Sequence, residues 1–201
     1  MPTTSERLAT TIIVGCGATA LMDVAGEVVR RTTGVPPLDL ALVGRWIGHI
    51  PQGKLTHESI AQAEPVEHER AIGLVAHYVI GIGFAGLLVA HPGWRAHPTF
   101  LPALAVGVAT TAAPWLIMQP AFGLGVAASK TPDPPAARRR SLRSHAVYGA
   151  GLYTTAKVLR FLRPHGVRTL SSLSAGVPAL AAAHPSIAPR TPTRLLMGGP
   201  S

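Results

Sequence analysis

The chain has 201 residues, a formal net charge of +9 and an isoelectric point near 11.0, yet only 13% of its residues are charged and its mean hydropathy is +0.31. Ordinary globular domains carry about 25% charged residues, so this shortage points to lipid rather than to a water-exposed surface. The basic excess does not read as a nucleic-acid face, because aromatic residues make up only 5% of the chain and Arg and Lys gather at the ends of apolar stretches, as topology signals do.

Crossing a bilayer takes about 20 mainly apolar residues. Four stretches meet that need, at about 8–29, 71–90, 101–118 and 144–162. The expected fold is all-α: a polytopic integral membrane protein with four transmembrane helices and a candidate interfacial helix in the first loop. Residues 1–162 form the membrane domain. Residues 163–201, rich in Pro, Ser and Ala, are expected to be a loosely ordered tail.

At the N-terminus, Arg7 followed by an apolar run resembles a signal peptide, and Ile13-Val14-Gly15-Cys16 loosely fits a lipoprotein cleavage box. Only residues 8–12 separate the two, too few for a signal core, so the first span is expected to stay uncleaved. Cys16 is the sole cysteine, which excludes an internal disulfide and any site built from several cysteines. No phosphate loop, serine nucleophile motif or dinucleotide fingerprint is present, since Gly15-Cys16-Gly17 lacks the later glycine.

Asp23 and Glu27 lie within the first span, one helical turn apart and in line with Gly15 and Thr19. A charge in mid-membrane costs about 2.5–3.5 kcal/mol on insertion scales and normally faces a partner or water. In the first loop, 38–50 is apolar apart from Asp39, Arg45 and His49, the last two on one helical face. It reads as an interfacial helix with Trp46 at the headgroup level, or as a plain packing segment.

The second span aligns Gly73, His77, Gly81 and Ala85, and the fourth aligns His145, Gly149, Tyr153 and Lys157. Small residues at this spacing let helices approach closely. Lys157 and Arg160 are expected to snorkel to the far interface. In the third span, Pro114 and then Gln119-Pro120 with Gly123 and Gly125 predict a kink followed by a break.

The loops after the first span (Arg30, Arg31, Arg45, Lys54, Arg70) and after the third (Lys130, Arg138, Arg139, Arg140, Arg143) share one side and should be cytoplasmic. That places both termini outside. Arg160, Arg163, Arg168, Arg190 and Arg194 pull the other way, and a re-entrant element within 170–183 would flip the C-terminus. At about 1.5 Å per residue, Asp23 falls about 6 Å from mid-span toward the basic side and His77 about 4–5 Å toward it. Glu27, Gln119 and His145 come out nearer the same interface. With Arg45 and His49 from the first loop, these residues make a candidate polar cluster in the cytoplasmic leaflet. Asp23 and His77 either exchange a proton or hold a polar solute, or merely satisfy each other while Glu27 pairs with Arg31.

Several long motifs occur in one order: Asp23 after GATALM, then GVPPLDLALVGRWIGH (34–49), AHYVIGIGFA (76–85), MQPAFGLGVAASKTP (118–132) and SLRSHAVYGAGLY (141–153). Together they resemble a family of bacterial membrane proteins catalogued as domain of unknown function 2938, over 12–153. The resemblance implies a multi-pass protein of the bacterial inner membrane and brings no activity with it. Proton-coupled or small-solute transport is the leading expectation. A membrane-embedded metal-assisted enzyme using His49, His77 and His145, and a structural or assembly role, are the alternatives. No cofactor, resident metal or nucleic-acid partner is expected. The partners are the lipid bilayer and, from the small-residue stripes, a second copy of the chain.

Overall fold

The computed structural model describes residues 3–175, with side chains through Leu162. The chain divides into two compact units, Met1–Arg160 and Phe161–Ser201. Among the described residues every regular element is helical.

Helix α1 (Thr4–Thr33) opens on a capping box in which the Thr3 hydroxyl accepts from the Glu6 N–H and the Glu6 carboxylate accepts from the Thr3 N–H. It ends at Gly34, whose φ of 74° is a left-handed conformation that a β-carbon would strain. Helix α2 (Leu40–His49) starts where the Asp39 carboxylate accepts from the Ala41 N–H. Helices α3 (Glu69–Val89), α4 (Pro92–Ala96) and α5 (Phe100–Ala109) follow.

Beyond a turn at Thr110 and Thr111, the third apolar stretch resumes as a π-helix, Pro114–Met118, and a last short turn, α6 (Gln119–Ala121). Pro114 and Pro120 have no N–H to give, so the regular ladder cannot run through. The wider turn is closed by the Gln119 N–H on the Pro114 carbonyl. Gly123 and Gly125, both at positive φ, then end the segment. Helix α7 (Pro134–Ala175) begins where the Asp133 carboxylate accepts from the Ala136 N–H.

Three of these helical stretches are long and apolar enough to cross a membrane: Thr4–Thr33, Glu69–Val89 and Phe100–Ala121. They carry exposed large apolar side chains along their length, among them Leu21, Val24, Val75, Val79, Leu116 and Ile117. This is the composition of a membrane protein. The expected fourth span, 144–162, lies inside α7 and does not reach the same apolar content. His145, Lys157 and Arg160 dilute it, and its buried face is given to packing. The backbone of α7 continues through residues expected to be a loose tail, as far as Ala175. The rest of that tail, including most of the re-entrant candidate 170–183, lies outside the described residues.

The main core joins Val14 and Ala18 of α1, Ala85, Leu88 and Val89 of α3, Trp94 of α4, Ala103 of α5, and Tyr148, Leu152 and Ala156 of α7. Lipid is as apolar as this core, so close approach of backbones has to hold the helices together. At the α5–α7 crossing, a β-carbon on Gly107 would collide with the backbone of Gly149. A second core joins Val43, Ile60, Ala121 and Phe122 around Trp46 and Met118. There Gly44 meets the start of α3 so closely that a β-carbon would strike the Glu69 carbonyl. Trp46 sets its ring edge-on to Phe122 and gives its indole N–H to the Leu55 carbonyl at 3.0 Å.

Candidate functional site

Asp23 sits on α1 one turn beyond Thr19, and Thr19 lies at the α1–α3 crossing. Thr19 is 1% exposed, and its hydroxyl fills the space that a β-carbon on Gly81 would need. This close approach brings the next turn of α1 level with the start of the apolar part of α3. There His77 Nε2 lies 2.9 Å from Asp23 Oδ1, and the Tyr78 hydroxyl donates to Asp23 Oδ2 at 3.1 Å. Both carboxylate oxygens are engaged, each by a different donor. The His77 and Tyr78 rings meet edge-on at 89°, which fixes the imidazole plane. The His77 side chain is 16% exposed, whereas that of Asp23 is 40% exposed. The carboxylate therefore has one side open to whatever surrounds α1.

The other expected residues are hydrogen-bonded to other partners, although His145 lies close enough to His77 for their charges to interact. Glu27 is held by Arg30, through both Nε and Nη2 at 2.6 Å, and by Arg31 at 2.7 Å. These are neighbours on its own helix, at an exposed end. Arg45 grips both carboxylate oxygens of Glu69 at 2.8 Å and donates through Nη1 to the carbonyls of Ile60, Ala61 and Ala63. It ties the first loop to the start of α3. His49, 4% exposed, shares a 2.8 Å hydrogen bond through Nδ1 with His57 Nε2.

His145 on α7 meets Thr110, whose hydroxyl proton goes to the Gly107 carbonyl at 2.6 Å. The Thr110 oxygen must then accept from His145 Nδ1 at 2.8 Å, leaving Nε2 as the lone-pair nitrogen of the neutral ring. Nearby, the buried Tyr148 hydroxyl donates to the Gly81 carbonyl at 2.5 Å and so ties α7 to α3. Gln119 Oε1 is buried without a partner.

His49, His77 and His145 thus each hold a different partner. Among the described residues, no group of three or more His, Cys, Asp or Glu side chains is placed to hold a metal ion.

A family model described as a protein of unknown function, DUF2938, matches residues 12–159. The chain belongs to the DUF2938 family. No curated protein and no solved structure shows significant similarity to it. The match runs from within α1 into α7, so Asp23, His77, Tyr78 and His145 all fall inside the DUF2938 segment, while the residues after 159 do not.

Sequence reasoning missed most of the partners. Tyr78 stands next to His77 and could have been found by the same depth count. Glu69, His57 and Thr110 are joined to Arg45, His49 and His145 only by the path of the chain, which no local spacing reveals.

Proposed function

We propose that this DUF2938 protein is a multi-pass protein of the bacterial inner membrane, in which part of α7 (144–162) crosses alongside the three apolar helices. The Asp23–His77 pair moves protons or a small polar solute from the cytoplasmic leaflet. Support for the fourth crossing is packing: Tyr148, Leu152 and Ala156 are buried in one core with α1, α3 and α5. A helix shielded by its neighbours tolerates lower apolar content than one facing lipid.

The observation that carries the proton reading is the 2.9 Å contact between an imidazole and a carboxylate on two apolar helices, with the carboxylate partly open. A proton arriving at Nδ1 of His77 makes the ring cationic. Release of the Nε2 proton to Asp23 Oδ1 leaves a neutral ring, and the carboxyl then gives the proton up through its open side. The Tyr78 hydroxyl holds Oδ2 throughout, so the carboxyl keeps its orientation. Reconstitution into liposomes with a trapped pH dye tests this: Asp23→Asn should abolish proton entry after an acid step.

The two-donor grip on Asp23 also favours a structural reading, in which the pair is interhelical glue. Under that reading Asp23→Asn lowers the unfolding temperature and the wild type shows no proton flux above empty liposomes.

A further inference from the structure

The start of α7 divides its charges by direction. Arg139, Arg140 and Arg143 are all exposed and fall within about 100° of one another round the helix axis. Tyr148 and Leu152 lie on the opposite side and belong to the main core. Arg138, outside that arc, turns to the preceding loop and donates through Nε to the Ala127 carbonyl at 2.8 Å. The chain offers little to balance these charges: Asp133 is the one acidic residue after Glu69, and its carboxylate accepts from the Ala136 N–H. The loop held by Arg138 also exposes Lys130 and two large apolar side chains, Leu124 at 37% and Val126 at 56%. Apolar and cationic side chains on one exposed surface fit the headgroup layer, where each finds its own phase. Beyond Arg143 the same side of α7 runs on as Val147, Ala150 and Thr154, uncharged and about 6–17 Å further along the axis.

We infer that this side of α7 binds an anionic phospholipid, with its phosphate held by Arg139, Arg140 and Arg143 and one acyl chain lying along Val147, Ala150 and Thr154. Orienting a protein in a membrane needs basic residues on one side of the bilayer, but not on one side of a helix. The outward set suits a phosphate arriving from the surrounding leaflet, because a guanidinium is a planar fork of donors that pairs with phosphate at two points. A zwitterionic headgroup brings its own cation, which the three arginines repel. The inference rests on the reading that α7 crosses the bilayer and is independent of proton movement.

The test attaches a fluorophore to the full chain through Thr154→Cys in a Cys16→Ser background and reads its quenching by brominated acyl chains in liposomes. All-brominated phosphatidylcholine should quench the label, which faces lipid if α7 crosses. As a minor component in unbrominated phosphatidylcholine, brominated phosphatidylglycerol should reach a given quenching at about fivefold lower content than brominated phosphatidylcholine does, the effect of one charge at the membrane surface. Arg139→Gln/Arg143→Gln should bring that preference below about twofold. Arg30→Gln/Arg31→Gln removes the same charge from residues already held by Glu27 and should leave the preference in place. Sodium phosphate should compete no better than sodium chloride of equal ionic strength. Equal quenching by the two lipids, or a preference lost alike in both double variants, would overturn the lipid site while leaving α7 in the bilayer. Competition by free phosphate would overturn it in favour of a soluble anion. No quenching by all-brominated phosphatidylcholine would take α7 out of the bilayer and the lipid site with it.

Discussion

Asp23 Oδ1 and His77 Nε2 stand 2.9 Å apart across the α1–α3 contact, although 54 positions separate the two residues in the chain. The contact depends on Thr19 lying flush against Gly81 one turn away. Helix packing and the polar pair are thus one arrangement, and changes to either should be felt by the other.

The second donor to Asp23 can be removed on its own. Tyr78→Phe deletes the 3.1 Å bond to Oδ2 and leaves the ring packing in place. Interhelical hydrogen bonds in membranes average about 0.6 kcal/mol, so a loss of about 0.6–1 kcal/mol is expected in an unfolding titration. A loss above about 2 kcal/mol would mean that Tyr78 orders more than the carboxylate.

Glu27 gives the contrasting case. Its partners are Arg30 and Arg31 at an exposed helix end, so Glu27→Gln should leave the unfolding temperature close to that of the wild type and proton entry unchanged. A loss of flux would return Glu27 to the site.

How far the site was legible depends on what each residue answers to. Asp23 and His77 could be matched because depth in a helix is a count of residues at a fixed rise, and Glu27 could be separated from them for the same reason. For Arg45 and His49 the sequence shows only that the two share a helix face. Their partners, Glu69 and His57, are brought in by the loop, whose path is set by the second core around Phe122. Pro114 and Pro120 announced a kink and a break, but two missing N–H groups do not say that the chain will wind as a π-helix. The fourth span rests on a run of moderate apolar content, whereas α7 is a longer helix that starts at Pro134 with the Asp133 carboxylate as its cap.

Arg45 and Glu69 should behave as one structural unit. Arg45→Lys keeps the charge but loses the two-point grip and the fork that reaches the 60–63 carbonyls. The expected cost is about 1.5–3 kcal/mol by chemical unfolding. Adding Glu69→Gln should cost less than the sum of the two single changes. Simple additivity would contradict a shared network.

The glycines separate into two kinds. A β-carbon at Gly149 would lie 2.8 Å from the Ala103 carbonyl oxygen and 2.9 Å from Leu104 Cα, both backbone atoms that cannot step aside. Gly149→Ala should therefore destabilise by about 1–3 kcal/mol. Gly83 has nothing within 4 Å of that position, so Gly83→Ala should be neutral or stabilising by up to about 1 kcal/mol. Equal effects in a thermal assay would argue against the α5–α7 crossing.

The most direct test of the Asp23–His77 pair is proton entry into dye-loaded liposomes carrying the purified chain, after an external acid step, with Asp23→Asn beside the wild type. Asparagine keeps the size and can still bond His77, but it cannot take up the proton. The expected result is wild-type entry well above empty liposomes and Asp23→Asn entry reduced to the level of empty ones, with both proteins equally inserted and folded. Equal proton entry through the two proteins would contradict a proton-carrying role for Asp23.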